Sequence, residues 1–397
     1  MALISVDELL PQPPQPRFAL FALGFRPFFL GAGIFAVLLI ALWLALYRGS
    51  LPLALFIPME QWHAHEMIFG FTGAVIAGFL LTAVQNWTGM KTPSGKPLAV
   101  LFFLWLAGRL LPFVPGLPSG LYALVDAALF PAVMIAIARP ILRARQLRNA
   151  AFPVMLGMLT LSNLLVHAEW LGYAQSAHTG FMLAIYMIVL MMVVMGGRVI
   201  PSFTDNKLRT KARRWKAVEW LAPAATLATL ATVLVQPVSP ITALIAAIAA
   251  AIHAVRLAGW YTGKYWSVPL LWVLHLGYGW IVMGFVLTAL GTLEMVAPSL
   301  ALHAFTAGAM GTLTLGMMAR VALGHTGRML ESAKIINLAF GLITLAAAIR
   351  VCWPVVMPGT YATAILVSGL FWIMAFAIFV LVYAPILIQS RVDGKPG

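Results

Sequence analysis

Twelve long apolar runs most restrict how this chain can fold. Each holds about 20 residues, and a helix of that length, at about 1.5 Å rise per residue, crosses the roughly 30 Å hydrocarbon core of a bilayer. They lie at about 27–47, 66–87, 98–114, 119–138, 150–169, 178–197, 217–235, 240–258, 269–290, 299–322, 335–353 and 360–388. The sequence therefore predicts an all-α polytopic membrane protein with about twelve transmembrane helices.

Composition excludes a soluble domain. The chain is 62% hydrophobic and 9% charged, whereas soluble domains are about half apolar and about a quarter charged. If both termini face the cytoplasm, 22 of the 25 Lys and Arg residues fall on the cytoplasmic side, and only Arg48, Arg109 and Arg350 fall outside. This distribution obeys the positive-inside rule. The net charge of +14 therefore predicts topology and contact with anionic membrane lipid, with no nucleic acid as partner.

The domain organisation follows from these runs. We predict a cytoplasmic N-terminal segment at 1–26, a single membrane domain at 27–388 and a cytoplasmic tail at 389–397. A basic cytoplasmic loop at 198–216 would divide the membrane domain into two six-helix halves. The single cysteine, Cys352, excludes an intrachain disulfide, a c-type haem attachment and a cysteine-bound iron–sulfur cluster.

The histidines fall into two groups when the orientation is fixed. The outer helix ends carry His63, His65, His167, His178 and His303. The inner helix ends carry His253, His275 and His325. A single buried histidine more often forms a hydrogen bond between helices, but neutral imidazole also binds haem iron and suits copper. The collective arrangement favours a histidine-bound metal or haem in the bilayer.

Ionisable side chains accompany the outer histidines. Glu66, Asp126 and Glu169 could deliver protons there, and Arg109 could pair with Asp126. Glu66 would also be stabilised by its position in a first helical turn. His63 and His65 point to nearly opposite faces if both are helical, and they could share one metal ion if His63 is extended.

The tenth span separates its two histidines widely. His303 and His325 would lie roughly 33 Å apart along one helix, so they serve opposite sides of the membrane. Methionine stripes occur in spans ten and six, at Met310 and Met317 and at Met187, Met191 and Met195. Thioethers can line a haem pocket or bind Cu(I), although packing is the commoner role. Spans two, six and ten also show a weak repeat, four spans apart.

Several segments resemble the NnrS family of bacterial membrane proteins. They are FRPFF, WHAHEM with GAVIAGFLLTAVQNWTG, GGRVIPSFT, LHLGYGWI and HAFTAGAMGTLTLGMMARVALGHTGR, in order from about residue 23 to 328. Gln85 stands where the family pattern has proline. The resemblance implies a twelve-span inner-membrane protein with haem b and copper, connected with nitric oxide during denitrification or nitrosative stress.

The same resemblance implies which residues hold the cofactors. It assigns cofactor binding to His63, His65, His275, His303 and His325, and extends to His167 and His253. Among these, the metal ligands would be His63, His65, His303 and His325. The outer group would form one site and the inner group another.

We therefore expect nitric oxide to be bound at the outer histidines; if it is also converted there, Glu66, Asp126 and Glu169 would supply the protons. Two other classes stay open: a transporter or a proton or ion relay, and a sensor or delivery protein for haem or copper. The residues alone do not separate a nitric oxide reductase or oxidase from a protein that only binds the gas. They identify no electron donor.

Overall fold

A computed structural model describes residues 18–51 and 57–395 of the chain. Twelve helices in this part are long and apolar enough to cross a membrane, so the predicted number of spans is confirmed. They are α1 (Phe25–Tyr47), α2 (Met59–Thr88), α3 (Lys96–Phe113), α4 (Ser119–Arg143), α5 (Leu147–Trp170), α6 (Ala177–Leu208), α7 (Lys216–Val235), α8 (Pro240–Gly259), α9 (Pro269–Thr292), α10 (Pro298–His325), α11 (Lys334–Val356) and α12 (Pro358–Ile388). Most of the predicted N-terminal segment lies outside the described residues, and the cytoplasmic location of both termini stays a prediction.

Two helices are longer than the sequence predicts. Helix α2 begins at Met59 rather than near 66, directly after Pro58, so the WHAHEM segment is helical. An acidic residue in its first turn, Glu60, suits the positive end of the helix dipole. Helix α6 continues to Leu208, into the predicted loop at 198–216, because Ile200 and Thr204 are buried against neighbouring helices.

Three helices form the centre of the protein. The buried share of the apolar window is 89% in α2, 89% in α6 and 72% in α10, whereas α9 reaches 61% and no other helix exceeds 44%. These are the three helices that carry the weak repeat in the sequence. The nine others surround them and leave apolar side chains outward, as a protein in lipid requires.

The packing of the helices repeats every four spans. The twelve helices form three consecutive groups of four: α1 to α4, α5 to α8 and α9 to α12. Within each group the first helix packs on the second, which gives the pairs α1–α2, α5–α6 and α9–α10. The last helix of each group packs on the first helix of the next group, giving α4–α5, α8–α9 and α12–α1. The arrangement is therefore a ring of three four-helix groups. The division into two six-helix halves by the loop at 198–216 stays a prediction.

Two of the central helices contain a π-helical segment. Glu66–Thr72 follows His65 in α2, and Ala304–Met310 follows His303 in α10. Each segment ends at a glycine, Gly73 or Gly311. A π-helical turn rotates the residues that precede it about the helix axis, relative to the residues that follow it. Such turns are frequent at functional sites. Here they orient the histidine-bearing turns at the end of the molecule predicted to face outward.

Candidate functional site

A buried group of polar side chains joins the ends of α2, α3, α4 and α5. We call it the outer polar cluster; it consists of His65, Glu66, Arg109, Asp126, Asn163 and His167. None of these residues is more than 4% exposed. Buried polar groups must be paired to be tolerated in so apolar a setting, and every side chain of this cluster contacts at least one other member.

Arg109 connects the two carboxylates of the outer polar cluster. Its Nη1 donates to Glu66 Oε2 at 2.6 Å, and its Nη2 contacts Asp126 Oδ1. The ion pair that the sequence predicted between Arg109 and Asp126 is therefore present. A buried arginine bound to two carboxylates fixes the relative positions of three helices, because a guanidinium presents its donors in a rigid plane.

Asp126 also gathers the two histidines of the cluster. Its Oδ2 lies 3.1 Å from His65 Nε2 and 2.8 Å from His167 Nε2. The three ligand atoms lie within 4.8 Å of one another, close enough to hold one metal ion. Two donor atoms bound to one ion at about 2.0 to 2.2 Å lie about 3 Å apart. The same distances therefore suit either hydrogen bonds or a shared ion.

The outer polar cluster contains more negative than positive side chains. Glu66 and Asp126 carry two negative charges and Arg109 carries one positive charge, so neutrality needs one more positive charge. His65 Nδ1 lies 3.0 Å from Glu66 Oε1, and its Nε2 lies 3.0 Å from Asn163 Oδ1. An uncompensated buried charge costs several kcal/mol. A ring proton or a metal cation would supply the missing charge.

A second feature at the same end is a cavity of about 490 Å³, which we call the outer cavity. It is lined by side chains of α1, α2, α10, α11 and α12, among them His63, His303, Arg350, Trp43 and Trp372. Its volume is within the range of about 300 to 1,000 Å³ that is usual for ligand sites. The walls are predominantly apolar, and the few polar groups on them are imidazoles, hydroxyls and charged side chains at one side.

The two histidines of the outer cavity present nitrogen atoms to it in different ways. His303 Nδ1 donates to the carbonyl oxygen of Ser299 at 2.7 Å. Because a carbonyl only accepts, the neutral ring keeps the lone pair on Nε2, the form in which imidazole binds a metal. His63 stacks on Trp43, and its Nδ1 is buried without a hydrogen-bond partner among residues 18–51 and 57–395.

Arg350 adds a positive charge to the outer cavity. Its Nη2 donates to the hydroxyl of Tyr361 at 2.9 Å, while Nη1 is buried and makes no hydrogen bond within the described part of the chain. The sequence marked Arg350 only as one of three basic residues on the outer side. A buried guanidinium with a free donor is suited to an anionic group such as a carboxylate.

Glu169 lies apart from the other two predicted carboxylates. Its Oε2 accepts a hydrogen bond from the backbone N–H of Ala177 at 2.8 Å, and its Oε1 accepts one from Gln61 at 3.0 Å. The first bond caps the start of α6, where unpaired N–H groups need an acceptor. Its observed contacts are those of a structural cap at the helix end.

His253 belongs to a polar network in another part of the protein. Tyr278 lies 2.8 Å from its Nδ1, and Thr226 lies 3.2 Å from its Nε2. Arg256 donates to the Tyr278 hydroxyl at 3.0 Å and pairs with Glu219. Both nitrogens of His253 are therefore engaged, and metal binding there would require one of these bonds to break.

The other two inner histidines are each in different surroundings. His275 stacks on Tyr265, with ring centroids 4.0 Å apart. His325 Nε2 lies 3.4 Å from Asn86 Nδ2, and its backbone carbonyl accepts a hydrogen bond from Arg391. The contacts of the three inner histidines have no residue in common, so the structure does not bring these side chains together in one site.

Four of the five outer histidines fall into two neighbouring sets, and the fifth, His178, is exposed. His65 and His167 meet in the outer polar cluster with Glu66 and Asp126, and His63 and His303 line the outer cavity. Helical geometry explains the separation of His63 from His65, since residues two apart point in nearly opposite directions. Sequence reasoning missed Asn163, which contacts His65 and Asp126 on other helices, and the position of Arg350 at the outer cavity. Cofactor binding by these residues stays a prediction.

A family model described as NnrS protein matches residues 19–391 of the 397-residue chain. The matched region includes all twelve helices and every side chain of the outer polar cluster and the outer cavity. The comparison with curated proteins finds no match.

Proposed function

Because the chain belongs to the NnrS family, we propose that it is a multi-pass haem and copper protein of the bacterial inner membrane that binds nitric oxide in the outer cavity. Family membership connects such a membrane protein with the response to nitric oxide. The observation that carries the proposal is that His63 and His303 line one cavity, together with the unpaired guanidinium nitrogen of Arg350.

The lining of the outer cavity fits haem. A haem needs an apolar pocket, an imidazole ligand and a cationic partner for its propionate carboxylates. Apolar side chains make up most of the walls. The hydrogen bond from His303 to Ser299 leaves Nε2 of the ring available for iron. Nη1 of Arg350 has no hydrogen-bond partner among the described residues and could donate to a propionate. His63 and His303 would hold the iron, and Arg350 would bind a propionate.

The outer polar cluster fits a copper ion. Imidazole nitrogens suit copper, and His65 and His167 place one nitrogen each beside Asp126. A bound cation would also supply the positive charge that Glu66, Asp126 and Arg109 leave missing. Since His63 and His65 are two residues apart on α2, this site would adjoin the outer cavity.

The residues of the two sites support nitric oxide binding in distinct ways. When bound, haem iron would supply the coordination site for the gas. Apolar walls admit a small apolar molecule from the membrane and exclude water. Conversion to nitrous oxide would consume protons, and Glu66 and Asp126 are placed to hold them beside the cavity.

The arrangement of polar groups favours this function over a transporter. Among the central helices α2, α6 and α10 lies a cavity of about 100 Å³ that includes Met191, Met195 and Met317 in its apolar lining. A proton or ion pathway needs polar groups or water through the middle of the membrane. Within residues 18–51 and 57–395, this cavity offers Thr314 as its single polar side chain.

An optical titration tests the proposal. Detergent-purified protein should show the Soret band of a b-type haem and contain copper by elemental analysis. The reduced protein should change its spectrum on addition of nitric oxide, and gas analysis for nitrous oxide then separates turnover from binding. Shifted spectra without nitrous oxide would indicate a sensor or scavenger. A colourless protein without copper, or a haem protein that does not respond to the gas, would refute the proposal.

A further inference from the structure

A groove on the flank of the molecule is separate from both outer sites. We call it the α8–α9 groove; it has a volume of about 510 Å³ and is lined by Ala254, Leu257, Ala258, Tyr261, Tyr265, His275, Gly279 and Val282. Tyr261 is 62% exposed, so the groove opens outward rather than toward the central helices. Ala254, Leu257, Gly279 and Val282 lie on spanning helices, so this part of the groove would face lipid.

One buried nitrogen in the groove has no partner. His275 is 3% exposed, and its Nδ1 donates to the carbonyl oxygen of Leu271 at 3.0 Å. The neutral ring therefore carries its lone pair on Nε2. Nε2 is buried and has no described partner in hydrogen-bonding geometry, although the backbone of Trp260 lies near the ring. An unpaired buried acceptor is unfavourable, and a ligand that donates a hydrogen bond would satisfy it.

The groove also has the shape and surface for an aromatic ring. Tyr265 stacks on His275 with ring centroids 4.0 Å apart and planes 10° apart. Burial raises the pKa of the Tyr265 phenol, which therefore stays neutral. Small residues, Ala254, Ala258 and Gly279, leave room along the facing helices. Flat aromatic molecules pack well against such surfaces.

The depth of the groove suits an amphiphile with a long apolar tail. His275 lies six residues after Pro269, where α9 begins, which corresponds to roughly 9 Å along the helix. Val282 lies roughly 20 Å along the same helix, near the middle of the bilayer. A polar ring held at His275 could therefore extend its tail along the groove into the hydrocarbon.

We propose that the α8–α9 groove binds the aromatic head of a membrane quinol, one of whose hydroxyls donates a hydrogen bond to His275 Nε2. The proposal names the chemical class of the electron donor for the proposed function. Oxidation of one quinol to its quinone would release the two electrons and two protons that conversion of two nitric oxide molecules to one nitrous oxide and one water consumes. Only that use of the electrons rests on the proposed function. Binding of the quinol itself depends on the groove alone.

The donor and acceptor pattern distinguishes the reduced ligand from the oxidised one. A quinol hydroxyl donates to the lone pair of His275, whereas a quinone carbonyl only accepts and would face that lone pair unpaired. Leaving a buried group without a partner weakens binding by about tenfold or more. The groove should therefore prefer quinol to quinone by about tenfold.

The test compares decylubiquinol with decylubiquinone on the purified full-length protein, with binding followed by tryptophan fluorescence under anaerobic conditions. We expect the wild type to bind the quinol about tenfold more tightly. His275→Phe keeps a ring against Tyr265 and removes the lone pair, so it should abolish the preference. His178→Phe, at an exposed histidine outside the groove, is the matched control and should retain it.

A second variant fills the groove without changing His275. A Cβ added at Gly279 would meet its nearest neighbour, Leu257, at 3.8 Å, so a side chain fits there without a clash. Gly279→Leu should weaken binding of both forms by about tenfold or more while the protein remains folded. Equal binding of quinol and quinone by the wild type, or unchanged binding by Gly279→Leu, would overturn the proposal.

Haem and copper content separates the two possible roles of His275. The family resemblance makes His275 a cofactor residue, and Nε2 cannot bind a metal and accept from a quinol at once. His275→Phe should keep the wild-type haem and copper; loss of either would show that His275 is a metal ligand and refute the quinol site. Quinol binding without any response to nitric oxide would refute only the proposed function.

Discussion

The imidazole of His63 lies against the indole of Trp43, with ring centroids 4.2 Å apart and planes 21° apart. This stacking contact joins α1 to α2 at the wall of the outer cavity. His63 Nδ1 makes no hydrogen bond within the described ranges that would fix the ring, so the flat contact with Trp43 sets its orientation.

Removal of this contact should weaken haem binding. Aromatic pairs contribute about 0.5 to 1.5 kcal/mol beyond the area they bury, which corresponds to roughly twofold to tenfold in affinity. Trp43→Ala should lower the affinity of the haem-free protein for added haem by that factor, measured by Soret titration. Trp43→Phe keeps an aromatic face and should stay near the wild-type value. Equal affinities in all three proteins would exclude a role for the stacking.

The unpaired guanidinium nitrogen in the outer cavity leads to a second prediction. Hydrogen bonds to charged groups contribute about 1.5 to 3 kcal/mol, so Arg350→Gln should weaken haem binding by roughly tenfold to a hundredfold. The matched control is Arg48→Gln, because Arg48 is also predicted to lie on the outer side but is exposed at the end of α1. If both variants retain haem equally well, Arg350 does not bind a propionate.

The sequence predicted the helices well and the site only in part. Runs of apolar residues determine the number of spans, because the bilayer permits few alternatives to a helix. The π-helical segments after His65 and His303 have no comparable signature, since they depend on contacts with other helices. Gly70 illustrates this dependence: a Cβ there would meet Glu66 and Arg109 at less than 3.0 Å.

The grouping of the histidines shows the same limit. Helical geometry predicted that His63 and His65 point apart, but only the early start of α2 at Met59 makes that geometry apply. Which side chains then meet is decided by helices far away in the chain. His63 shares its cavity with His303 and Arg350, and His65 meets Asp126 and His167. Contacts between helices that are far apart in the chain leave no local pattern in a single sequence.

Arg109 should be the most sensitive single position for stability. Arg109→Gln would leave Glu66 and Asp126 buried without their shared cation, and removal of one member of a buried ion pair costs about 3 to 5 kcal/mol. We expect a much lower midpoint of thermal unfolding in detergent. The double variant Arg109→Gln with Asp126→Asn restores the wild-type charge sum and should recover part of the loss. A double variant less stable than Arg109→Gln alone would contradict the charge argument.

The last prediction separates the outer polar cluster from the outer cavity. If His303 binds haem and His167 binds copper, the two cofactors should be lost independently, because the ligand sets are on different helices and share only α2. His303→Ala should reduce the Soret absorbance per protein by most of its value and leave copper near the wild-type level. His167→Ala should do the reverse. Thermal unfolding of each variant, measured against the wild type stripped of metal, controls for loss of structure. Loss of haem and copper together from either single substitution, in a protein that still unfolds cooperatively, would mean that the two sets form one coupled centre.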